Sequence, residues 1–104
     1  WPACEIAPWA LAKAQTDVAM LEDDLITVPW PWREVTRGIA VPTLLVTGDH
    51  EVIFDPGMLA QLAEVGNPLI ETAVVPRAGH CVRRDQTEAY HRLVDAWIEG
   101  QLAR

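Results

Sequence analysis

The chain has 104 residues, half of them apolar and 22% charged, with six Gly and eight Pro. That balance suits one packed globular unit and excludes a disordered or collagen-like chain. Acids outnumber bases fifteen to eight, a formal net charge of -7, and Lys13 is the sole lysine, so neither a nucleic acid nor an anionic membrane finds the basic cluster it needs.

No apolar run approaches the ~18 residues that span a bilayer. With no secretory leader in view, the chain reads as soluble and cytoplasmic. It starts on Trp1 rather than Met, which reads as a processed or cut piece of something longer. Cys4 and Cys81 lie far apart and match no metal-ligand spacing, so two free thiols in a reducing compartment are expected. Serine is absent from the whole chain, which removes the commonest hydrolytic nucleophile.

Residues 1–41 read as helical pieces parted by proline. Pro8 is placed to open a helix carrying Trp9, Leu11, Ala12 and Ala14. Thr16 and Asp17 can cap a second one, with Val18, Leu21 and Leu25 along one side. Glu22-Asp23-Asp24 reads as a solvated face. In Val28-Pro-Trp-Pro-Trp32 each proline pushes the residue before it out of the α region, which predicts an extended connector. Its two indoles, Trp30 and Trp32, need an apolar surface to lie against.

From Pro42 the pattern becomes regular. Val41 to Thr47 holds the apolar run Leu44-Leu45-Val46 between Pro42 and Gly48, which reads as a strand buried on both faces. Asp55-Pro56 supplies an N-cap and a first-turn proline for a helix with Met58, Leu59, Leu62 and Val65 as its apolar stripe. Gly66 supplies the left-handed stop. Ile70 to Val75 is a second strand, ended by Pro76. Asp85-Gln-Thr-Glu88 has the spacing of a capping box. Behind it Tyr90, Leu93, Val94, Trp97, Ile98 and Leu102 recur at helical steps. Strand, helix, strand, helix predicts an α/β fold whose two strands run parallel, with flanking helices.

In a parallel α/β sheet, ligands and chemistry gather beyond the carboxyl ends of the strands. Gly48-Asp49-His50-Glu51 leaves the first strand there, and Arg77-Ala-Gly-His80 leaves the second. A carboxylate that accepts the Nδ1 proton of a histidine holds its tautomer and leaves Nε2 free to take a proton. The segment Pro42-Thr-Leu-Leu-Val-Thr-Gly-Asp-His-Glu-Val-Ile-Phe-Asp-Pro56 resembles the acid-bearing segment of α/β-hydrolases. Ala78-Gly-His-Cys-Val-Arg-Arg-Asp85 resembles that family's catalytic-histidine loop. The final helix resembles its closing helix, and residues 1–41 resemble, less specifically, the end of its helical cap.

The resemblance implies a general base at His80. It implies a catalytic acid at Glu51, three residues after Gly48, with Asp49 as the alternative. It divides the chain into a cap-like segment and connector (1–41) and a C-terminal strand–helix–strand–helix part of the core (42–104). The family's Gly-x-Ser-x-Gly elbow is absent, so the chain reads as the C-terminal part of a serine-type hydrolase of esters or similar small carbonyl compounds. Its expected partners are the segment that supplies the nucleophile, or a second copy through an exposed strand edge, and the 104 residues alone are expected to be inactive. The rival reading is a non-catalytic α/β interaction module or an inactive relative.

No cofactor and no metal is expected, because adjacent side chains such as Asp49, His50 and Glu51 rarely converge on one ion. Cys81 is expected to point away from His80, since neighbouring loop residues usually diverge. His91, with Asp95 four residues on, reads as a surface pair.

Overall fold

The computed structural model of the chain describes residues 1–21, 31–50 and 56–104. Helix α1 spans Ala3–Gln15, and a 3₁₀ turn covers Val18–Leu21. Helix α2 (Trp32–Arg37) leads into strand β1 (Thr43–Gly48), helix α3 (Pro56–Val65) and strand β2 (Ile70–Val75). A single turn, α4 (Val82–Asp85), precedes the closing helix α5 (Thr87–Leu102). The two strands pair in parallel, from Thr43 opposite Ile70 to Gly48 opposite Val75. This is a mixed α/β arrangement, compatible with part of a larger α/β fold.

The regular half follows its punctuation. Helix α3 begins on Pro56, whose fixed φ suits a first helical turn. It ends at Gly66, where φ is +71°. Beyond it Asn67 ties three elements together. Its Nδ2 donates to the carbonyls of Thr36 and Ile39, each at 2.9 Å, and its Oδ1 accepts the Leu69 amide at 3.0 Å. Arg33 adds a bond to Gln61 at 2.6 Å, so α2 is bound to α3 by side chains as well as by the loop.

Three local expectations give way. Helix α1 starts after Pro2, not at Pro8, which stands inside it. The turn before Pro8 is fastened by ion pairs from Glu5 to Arg83 at 2.5 Å and to Arg84 at 3.1 Å. Trp32 is helical rather than extended, because a proline restricts the residue before it and Pro31 leaves Trp32 free to open α2. The guanidinium of Arg33 lies 4.4 Å above the Trp32 ring. Asp85 does not cap α5: Gln86 stands at that cap and its side chain makes no capping bond, while Asp85 serves the loop before α4. Asp17 does cap, accepting the Ala19 amide at 3.0 Å, whereas the Thr16 hydroxyl turns back to the Ala12 carbonyl. The acidic stretch Glu22–Asp24, Leu25, the connector through Trp30 and the cap residue Asp55 lie outside the described residues.

The core is small. Among the described residues its buried apolar members are Leu62, Val75 and Ala78, and Thr47 is buried as well. Leu44, Leu45 and Val46 are only half-buried, where a strand covered on both faces was expected, because two strands do not form a covered sheet. Val74 and Ile98 remain nearly half exposed. The accessible surface is 7806 Å², against about 5800 Å² for a compact monomer of this mass. Among the described residues, no helix is long and apolar enough to cross a membrane.

Candidate active site

The parallel register delivers the two strand ends to one edge. Beyond β1 the amide of Asp49 donates to the Ala78 carbonyl at 2.9 Å, and that of His50 to the same oxygen at 3.4 Å. Gly48 makes this approach possible, since a Cβ there would collide with the Ala78 carbonyl group and crowd that of Gly79. Beyond β2 the chain turns at Arg77, whose φ of 60° is left-handed. That conformation costs a non-glycine residue roughly 1–2 kcal/mol. The Gln86 side chain steadies it by donating to the Arg77 carbonyl at 3.0 Å.

The strand ends thus bring Asp49, His50 and His80 to the same edge, as the sequence predicts. Their side chains divide differently. His50 Nδ1 lies 2.9 Å from Asp49 Oδ1, so the Asp49 carboxylate is engaged by its own neighbour. That bond holds the Asp49 carboxyl below the usual carboxylate range, with the backbone of Arg77 assisting. No hydrogen bond joins Asp49 to His80 among the described residues. His80 is exposed and lines a cleft of about 470 Å³ with Trp1, His50, Arg77, Gly79, Cys81 and Asp85. A second cleft, of about 290 Å³, lies between His80 and Val46 and runs along Cys81–Arg84. Glu51 lies outside the described residues.

Asp85 is the residue that sequence reasoning missed. Its Oδ2 accepts the Gly79 amide at 2.9 Å, and its Oδ1 accepts the Trp1 indole N–H at 2.8 Å. The Gly79 bond, then the Trp1 bond, hold its carboxyl below the usual range. The available signal was an acid six residues beyond Gly79, close enough to fold back on that loop. Trp1 in turn lies under the Arg84 guanidinium at 4.8 Å and meets the edge of Trp9 at 5.5 Å.

Other candidates resolve simply. Cys4 is exposed, Cys81 is half-buried, and both are free thiols. His91 stands edge-on to Tyr90 at 5.5 Å rather than pairing with Asp95, and the ion pair of α5 joins Arg92 to Glu88 at 3.5 Å. No group of metal-ligating side chains converges among the described residues.

Two curated proteins match parts of the chain. The "Uncharacterized carboxylesterase nap" of Bacillus subtilis (strain 168) is 42% identical over 53 residues, covering 51% of this chain and 18% of that protein. "Carboxylesterase YbfK" of the same organism is 33% identical over 64 residues, covering 62% of this chain and 22% of that protein. Over these stretches the chain is similar to carboxylesterases. It spans about a fifth of the length of the curated relatives it matches. No family model matches, and no solved structure matches.

Proposed function

We propose that this chain is the C-terminal, acid-and-histidine portion of a serine carboxylesterase of the α/β-hydrolase type, with residues 1–41 as the end of its cap. The observation that carries this reading is the parallel β1–β2 register, which brings both strand ends to one edge, where His50 and His80 line one cleft and Asp49 is bonded to His50. The partial likeness to two carboxylesterases supports it. The presence of Trp1 in that cleft supports the cap assignment.

In this reaction His80 Nε2 takes the proton of a serine hydroxyl supplied by the rest of the protein. The serine oxygen attacks the ester carbonyl, and His80 returns the proton to the departing alcohol. Water then repeats the sequence, with His80 as base, releasing the carboxylic acid and restoring the serine. Glu51 is the acid that orients His80, and Asp49 is the alternative. The bond from His50 to Asp49 supports that order, because it commits one Asp49 oxygen elsewhere.

The test is steady-state hydrolysis of p-nitrophenyl esters by the full-length protein. His80→Ala should cut kcat by about 10³-fold or more, and Glu51→Gln by about 10²-fold or more. Ester turnover that survives His80→Ala overturns the proposal. A full-length protein inert toward esters would favour a non-catalytic α/β module instead.

A further inference from the structure

The peptide plane between Ala78 and Gly79 is gripped on both sides. Its carbonyl oxygen accepts the amides of Asp49 and His50, at 2.9 and 3.4 Å. Its N–H, on the opposite side of the plane, donates to Asp85 Oδ2 at 2.9 Å. The next residue is His80. Gly79 has no Cβ to restrict its dihedrals, so the plane would otherwise be free to rotate and carry the histidine with it. Rotation breaks all three bonds at once.

From this geometry we infer that Asp85 is a positioning residue for His80, which it acts on by locking the Ala78–Gly79 peptide plane. The inference rests on the assignment of His80 as the general base. Asp85 is itself held from behind. Trp1 Nε1 occupies its second oxygen at 2.8 Å, and the Trp1 ring is packed by the guanidinium of Arg84. Glu5 of α1 then binds Arg83 and Arg84, on the same short turn as Asp85. The N-terminal helix therefore braces the carboxylate that holds the histidine loop. Asp85 makes its contacts through backbone and indole N–H groups and takes no part in the chemical step.

The experiment compares Asp85→Ala, Asp85→Asn and His80→Ala in the full-length protein, using p-nitrophenyl ester kinetics and the exchange rate of the Gly79 amide by NMR. Asp85→Ala should lower kcat by about tenfold or more while KM stays within about twofold, because a misplaced base slows chemistry more than binding. Gly79 exchange should accelerate by about tenfold or more as its acceptor is lost. Asn retains one acceptor oxygen, so Asp85→Asn should restore most of kcat and of the Gly79 protection. If Asp85→Asn is as impaired as Asp85→Ala, or Asp85→Ala leaves kcat intact while His80→Ala abolishes turnover, the inference is wrong and the hydrolase assignment stands. If His80→Ala leaves turnover intact, or the wild type cleaves no ester, both fall together.

Discussion

Gly48 packs its bare α-carbon against the carbonyl group of Ala78, and the two strand ends meet at that point. The approach is closer than any side chain permits, so it depends on an atom that is not there. Gly48→Ala should push the β2 loop away and break the Asp49 and His50 bonds to Ala78. A loss of about 3 kcal/mol or more is expected in urea unfolding of the full-length protein, in the range of overpacked and broken-network sites. At Gly79 the added Cβ would meet Asp85 Oδ2 at 3.3 Å, a contact relieved by a shift of a few tenths of an ångström. Gly79→Ala should therefore cost clearly less, and equal losses at the two positions would contradict this account.

Asn67 satisfies two carbonyls from α2 and its C-terminal turn and one amide before β2. Asn67→Ala removes all three bonds while leaving backbone groups half-sheltered from water. About 1–3 kcal/mol should be lost. Asn67→Asp should recover only the Leu69 bond, since a carboxylate cannot donate to Thr36 or Ile39. Midpoints of urea unfolding check the order Asn, then Asp, then Ala.

Acid should loosen the bracing of the histidine loop. Arg83, then Arg84, hold the Glu5 carboxyl below its ordinary value, and the Gly79 amide and Trp1 do the same for Asp85. For both groups the folded pKa lies below the unfolded one. Their contribution is whole above the ordinary carboxylate range, near pH 4, and is lost as pH falls through the folded values. Stability of the wild type over Glu5→Gln should thus be present at pH 6 and shrink steadily below about pH 4. Parallel acid limbs in the two proteins would show that Glu5 is not linked to stability in this way.

The 104 residues expressed alone should not remain monomeric. A two-stranded sheet leaves strand edges unpaired, and the accessible surface of the structure exceeds that of a compact protein of this size by about a third. Size-exclusion chromatography with light scattering should report a mass above 11.5 kDa. A monomer with a sharp, cooperative melt would refute the expectation.

The legible part of the fold is the part whose signals are local. Pro42 and Gly48 bracket β1, Pro56 and Gly66 bracket α3, and the step of three and four residues marks α5. Those signals also placed Asp49 and His80 at one edge, because parallel pairing follows from the length of the crossover. The illegible part is decided by distant partners. Pro8 sits inside α1, whose first turn is tied through Glu5 to arginines 78 and 79 positions away. Asp85 carries the spacing of a helix cap, yet a backbone amide six residues back and an indole 84 residues back compete for it and win. Local pattern finds candidate caps and cannot see which donor is nearest.

The bond between Trp1 and Asp85 spans 84 positions of sequence and closes a loop around nearly every other element. Closure of that span costs chain entropy, which this bond and the ion pairs of Glu5 with Arg83 and Arg84 help to offset. The N-terminal helix is thus joined to the strand–helix–strand unit at the same carboxylate that holds the Ala78–Gly79 plane.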